Sequence, residues 1–164
     1  MSRRSTLATL ALSGLLLSGV AATPALASGA QAPAVNTVSA ASMKVQAATV
    51  RIHMDHINAG FEIARTINDL PPMYRDQFVE GVVNIAFLKA GRRYNVMMMN
   101  LDQDYSQRLT GTKLYATVTW DNVYYGLWIS EAGAFTNRGD GGYINWGFRG
   151  WYTRDGMTVK FRRP

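Results

Sequence analysis

Apolar and polar positions alternate along most of the second half of the chain, and a period of two predicts strands. From Leu114 the sequence runs LYATVTW, then Asp121-Asn122, then VYYGLWIS. Two alternating runs around a two-residue break predict a hairpin over 114–130. That turn sets Trp120 opposite Val123, Val118 opposite Tyr125 and Ala116 opposite Leu127. The reverse face holds Tyr115, Tyr124 and Trp128. Aromatics on both faces predict a central hairpin rather than an edge, and leave Tyr124 and Trp128 as candidate stacking residues.

A second hairpin is predicted over 143–162, closed by Asp155-Gly156 because such a turn needs positive φ. Tyr152 then faces Val159. One face carries Ile144, Trp146, Phe148, Tyr152, Val159 and Phe161 and is expected to pack on a core. The opposite face carries Tyr143, Arg149, Trp151, Lys160 and Arg162. An aromatic and cationic face left to solvent is the predicted ligand-binding surface.

Upstream, Thr49–Ile57 alternates as a first strand. Asn58–Pro72 is expected to be irregular, given Gly60 and the Pro71-Pro72 break. From Met73 to Ala90 the apolar residues Phe78, Val82, Ile85 and Ala86 return at helical spacing, with Gly91 as a stop. Tyr94–Leu101 contains Val96-Met97-Met98-Met99, apolar at successive positions, and predicts a strand covered on both faces. The fold class is therefore α+β, mainly antiparallel β as a sandwich or twisted sheet of hairpins, with one packed helix.

Composition adds an address. Arg3 and Arg4, the apolar run 7–22 and the small residues Ala25-Leu26-Ala27 predict a signal peptide over 1–27 and a secreted, extracellular protein. Residues 28–48, rich in Ala, Ser, Thr and Val, are expected to be a linker or short propeptide, with a single globular domain over 49–164. Removing Arg3 and Arg4 leaves fifteen cations against eleven acids, a net charge of +4. That balance suits an anionic cell-surface polymer or an anionic membrane surface without demanding either, and does not call for nucleic acid.

The chain has no cysteine, which excludes thiol catalysis and thiolate metal sites. His53 and His56 would point to opposite faces of a strand, so no metal or cofactor is expected. The run from Asp102 begins like a calcium loop but has Gln107 where glycine is needed and Lys113 where glutamate is needed. Arg138-Gly139-Asp140 matches a short adhesion tripeptide, but such tripeptides arise often by chance, and a turn with a local ion pair is the expected reading. Asp121, Glu131 and Asp140 are the acids placed by loop location, and no motif ties two of them into a hydrolytic pair. No catalytic residues are expected.

The run TWDNVYYGLWISEAGAFTNRGDGGYINWGFRGW resembles the centre of small secreted bacterial proteins known as stress proteins. The similarity spans about Thr49 to Pro164 and implies an exported, mostly β, single-domain protein, with no reaction attached. LYATVTWDNVYYG is also similar to the hairpin of ribosome-inactivating N-glycosylases, with Tyr124 or Tyr125 at the position of their adenine-stacking tyrosine. Those enzymes require a Glu and an Arg together on a later helix, and this chain has no glutamate after Glu131. The expected function is thus a secreted, non-catalytic binding and stress-response protein that recognises cell-surface polysaccharide. The alternatives are a membrane-active, antimicrobial or toxin-like protein and, more remotely, a secreted hydrolase.

Overall fold

The computed structural model describes residues 47–164. The predicted signal peptide and residues 28–46 of the predicted linker lie outside the described residues.

The chain opens with β1 (Ala48–Asp55), then α1 (Gly60–Asn68) and α2 (Arg75–Lys89). β2 (Asn95–Asn100), β3 (Tyr105–Thr110), β4 (Leu114–Trp120), β5 (Val123–Ser130) and β6 (Ala132–Asn137) follow. β7 (Trp146–Arg149), β8 (Tyr152–Asp155) and β9 (Thr158–Phe161) complete it. A five-stranded sheet has the order β1-β4-β5-β2-β7 and a four-stranded sheet the order β3-β6-β9-β8. All their pairings are antiparallel. The fold is α+β and mainly antiparallel β, as the alternation predicts.

β2 lies between β5 and β7, and all six of its residues are buried. Val96 and Met98 join a core shared with Ile63, Ile67, Phe78 and Val82 of the helices. Met97 and Met99 join a second core with Trp128, Phe135, Trp146, Val159 and Phe161. The larger sheet is therefore sandwiched between the helices and the smaller sheet. Its hairpin keeps the predicted register, with Trp120↔Val123, Val118↔Tyr125 and Ala116↔Leu127.

The 58–72 segment departs from expectation, because residues 60–68 form a helix. The Asp55 carboxylate accepts the backbone N–H groups of Ile57, Ala59 and Gly60, which ends β1 and starts α1. Ile63 and Ile67, four apart, are fully buried. The proline pair follows this helix rather than abolishing it. The protein thus has two helices rather than one among the described residues.

The last hairpin differs in two ways. Its loop is Gly156-Met157, so Asp155 pairs with Thr158 and Tyr152 with Phe161. Gly156 alone of the two central residues has positive φ, at 54°, which places the glycine first in the turn. Each partner shifts by two positions, so the faces of β8 and β9 survive. The larger correction lies upstream. β7 pairs with β2 in one sheet, while β8 pairs with β9 in the other. The chain changes sheets at Gly150, whose φ is 131° and where a Cβ would lie 2.3 Å from Asn95 Oδ1. Residues 143–154 are not one strand, and no continuous aromatic and basic face forms.

Candidate functional site

β7 is the edge of the larger sheet and β8 the edge of the smaller one. A groove of about 480 Å³ follows these edges. α2 supplies one wall through Asp76, Val79, Glu80 and Val83, while Trp146, Phe148, Tyr152 and Arg154 supply the other. Tyr143 stands at the mouth, 71% exposed. The volume suits a small molecule or one to two units of a polymer. Gly147 lets α2 approach, since a Cβ there would lie 2.8 Å from Val79 Cγ1.

The aromatic floor is continuous. Trp146 lies 5.1 Å from Phe148, and Phe148 meets Tyr152 edge-on at 4.9 Å. The Arg154 guanidinium sits 5.1 Å above the Trp146 ring and 5.9 Å from Phe148. Asp76 and Glu80 are four residues apart on α2, so both point to the same wall. Neither has an ion-pair or hydrogen-bond partner among the described residues.

One end of the groove is held by a polar network. Arg75 donates from Nε to the Tyr125 hydroxyl (2.5 Å) and from a terminal nitrogen to Asn145 Oδ1 (3.0 Å). Tyr125 donates to the Ile144 carbonyl and Asn100 to Asn145 Oδ1. Asp140 accepts from the Gly142 N–H and from Asn145 Nδ2, and the Trp146 indole donates to the Gly141 carbonyl. Burial raises the Tyr125 phenol above its ordinary pKa, and Arg75 opposes that rise in part. Among the described residues no buried side-chain polar atom lacks a partner, so the loop carrying Tyr143 is pinned. Both Asp140 oxygens are engaged within this loop, so the adhesion tripeptide does not present a free carboxylate. Tyr125 is fully buried and does not stack on a base.

The predicted site residues separate. Tyr143 enters the groove. Arg149 bonds Asn84 on α2 and lies 5.4 Å over Phe87, while Trp151 packs 5.8 Å from the same ring. Arg162 is exposed, and its backbone N–H donates to the Trp151 carbonyl. Lys160 pairs with Thr153 on the outer face of the smaller sheet. Tyr124 is exposed beside the β4–β5 turn. Trp128 is only 7% exposed and stacks on Tyr115 inside the second core, so it offers no surface platform. The groove instead uses Trp146, Phe148 and Tyr152, which alternation places on a core face. Asp76 and Glu80 carry one sequence signal, helical spacing that puts both on one side, but nothing in the sequence says which strand that side meets.

A second cluster holds the last residues. Glu131 pairs with Lys113 at 2.8 Å and with Arg163. Lys113, then Arg163, hold its carboxyl below the usual carboxylate range, and the same contact raises Lys113. His53 is bonded to Thr117 and stacked on Tyr115, while Asp55 caps α1. Among the described residues no three His, Asp or Glu side chains are grouped to hold a metal ion. No helix there is long and apolar enough to cross a membrane.

No family model matches the chain, and no solved structure matches it. It is 39% identical over 133 residues to the stress response protein YvgO of Bacillus subtilis (strain 168), covering 81% of each protein. Identity at that level across four-fifths of both proteins shows that the chain belongs to the YvgO family of stress response proteins.

Proposed function

We propose that this stress-response family member is an exported, non-catalytic binding protein whose groove along β7 and β8 holds a cell-surface polysaccharide. The observation that carries this reading is the groove itself: aromatic rings on one wall, two unpaired carboxylates on the other, and an exposed tyrosine on a hydrogen-bonded loop at the mouth. Aromatic faces stack on the apolar faces of sugar rings, while carboxylates accept hydrogen bonds from their hydroxyls. The carboxylates argue against an anionic polymer in this groove, since like charges repel at short range. They also support binding over hydrolysis. Asp76 and Glu80 stand on the same helix wall, whereas glycosidases flank the scissile bond with their two carboxyl groups.

The test is co-sedimentation of the purified protein with peptidoglycan, chitin and anionic vesicles, each at low and high salt. Retention on one polysaccharide and not on anionic vesicles, lost in Tyr143→Ala/Tyr152→Ala, is the expected result. Retention on every anionic surface that vanishes in salt would place binding on the scattered cations instead and would sink the groove.

A further inference from the structure

The groove already holds a cation, and the cation belongs to the protein. Arg154 lies on an edge strand, with its guanidinium stacked on Trp146 and Phe148 and its Nε donating to the Gly156 carbonyl at 2.8 Å. Trp146 is only 1% exposed although it lines the groove: the second core packs against it and Arg154 lies over its ring. Arg154 pairs with no carboxylate among the described residues. Its hold on the floor is cation–π contact plus one hydrogen bond to its own turn, which a competing cation can replace. Across the groove, Asp76 and Glu80 present two unpaired negative charges.

An aromatic floor that attracts cations, facing two free carboxylates, is complementary to a sugar that carries ammonium groups. A neutral sugar would use the rings and leave both charges unanswered. We propose that the groove selects a glycan with free amino groups, a hexosamine polymer lacking N-acetyl substituents, and that Arg154 is an internal competitor for its floor. Entry of the ligand ammonium over Trp146 displaces the Arg154 side chain towards solvent. This rests on the carbohydrate reading above and names the sugar class that the groove takes.

The experiment is titration calorimetry at mildly acidic pH with a glucosamine hexamer, an N-acetylglucosamine hexamer and spermidine. The expected result is tighter binding of the glucosamine hexamer, by about tenfold over the acetylated one. That preference disappears in Asp76→Asn/Glu80→Gln. Arg154→Ala strengthens glucosamine binding roughly two- to fivefold, the range of an exposed cation–π contact, and red-shifts tryptophan emission by uncovering Trp146. All three positions are exposed, and thermal melts of each variant serve as the control for folding. Equal or better binding of the acetylated hexamer overturns this inference and leaves the carbohydrate reading standing. Spermidine binding as tightly as the glucosamine hexamer, with no response to the acetylated one, overturns both the hexosamine assignment and the carbohydrate reading. Failure of all three probes to bind also overturns both.

Discussion

The two faces of the central sheet are built differently. On the helix side, Val96, Met98, Leu114, Ala116 and Leu127 meet Ile63, Ile67, Val79 and Val82, a mostly aliphatic core. On the other side, Met97 and Met99 meet Trp128, Phe135, Trp146 and Phe161, with Tyr105 and Tyr115 at the margins. Helices with branched side chains pack against one face and leave it open beside β7, where Val79 and Val83 line the groove. The smaller sheet covers its face with rings, and at β7 and β8 the cover runs out. The groove opens where aromatic packing lacks a partner, so one set of residue types serves both core and candidate site.

The largest effects should fall on the shared core. Trp128→Ala is expected to cost about 3–5 kcal/mol in urea unfolding, because a buried ring leaves a cavity. A cost below about 1 kcal/mol would mean that the aromatic side is loosely packed and the contrast is false. Asn95 comes next. Its Nδ2 donates to the Glu131 and Arg162 carbonyls, and its Oδ1 accepts the Trp151 N–H, joining both sheets at the crossover. Asn95→Leu should cost about 1–3 kcal/mol, because its partly exposed partners can turn to water, read by the same titration.

Groove substitutions should separate binding from stability. Tyr143→Ala removes an exposed ring and is expected to shift stability by no more than about 0.5 kcal/mol, and Tyr152→Ala, which also loses its edge-on contact with Phe148, by no more than about 1 kcal/mol. Each should weaken glycan retention roughly tenfold, about 1.4 kcal/mol in binding free energy. Parallel loss of stability would make these rings core, not site. The smallest effect belongs to the Glu131 clasp. Its carboxyl pKa is lowered by Lys113 and Arg163, so its contribution is present above the usual carboxylate range and is lost as pH falls through the lowered value. Thermal melts from neutral pH into that acid window should therefore fall less steeply for Glu131→Gln than for the parent. Identical slopes would show that the clasp carries no stability.

Much of the fold was legible because alternation and turn chemistry are local. The 114–130 hairpin, the doubly buried Val96–Met99 run and the helix from about 73 to 90 all follow from spacing. Gly60 and Pro71-Pro72 mask α1 in the sequence, although Ile63 and Ile67 stand at helical spacing. The candidate site was less legible. Alternation named Tyr143 but put Trp146, Phe148 and Tyr152 on a core face, and it offered Trp128 as a stacking residue.

The sequence by itself determined which residues alternate, where chains turn and that both faces of the main hairpin must be covered. Only the tertiary structure decided that the chain leaves one sheet at Gly150 and joins the other at Tyr152. That decision depends on Asn95, some fifty-five residues away in sequence, receiving the Trp151 N–H where a side chain at Gly150 would collide with it. Period-two patterning fixes the face of each residue within a strand. It carries no information about which sheet that strand joins, and the groove exists because β7 and β8 joined different ones.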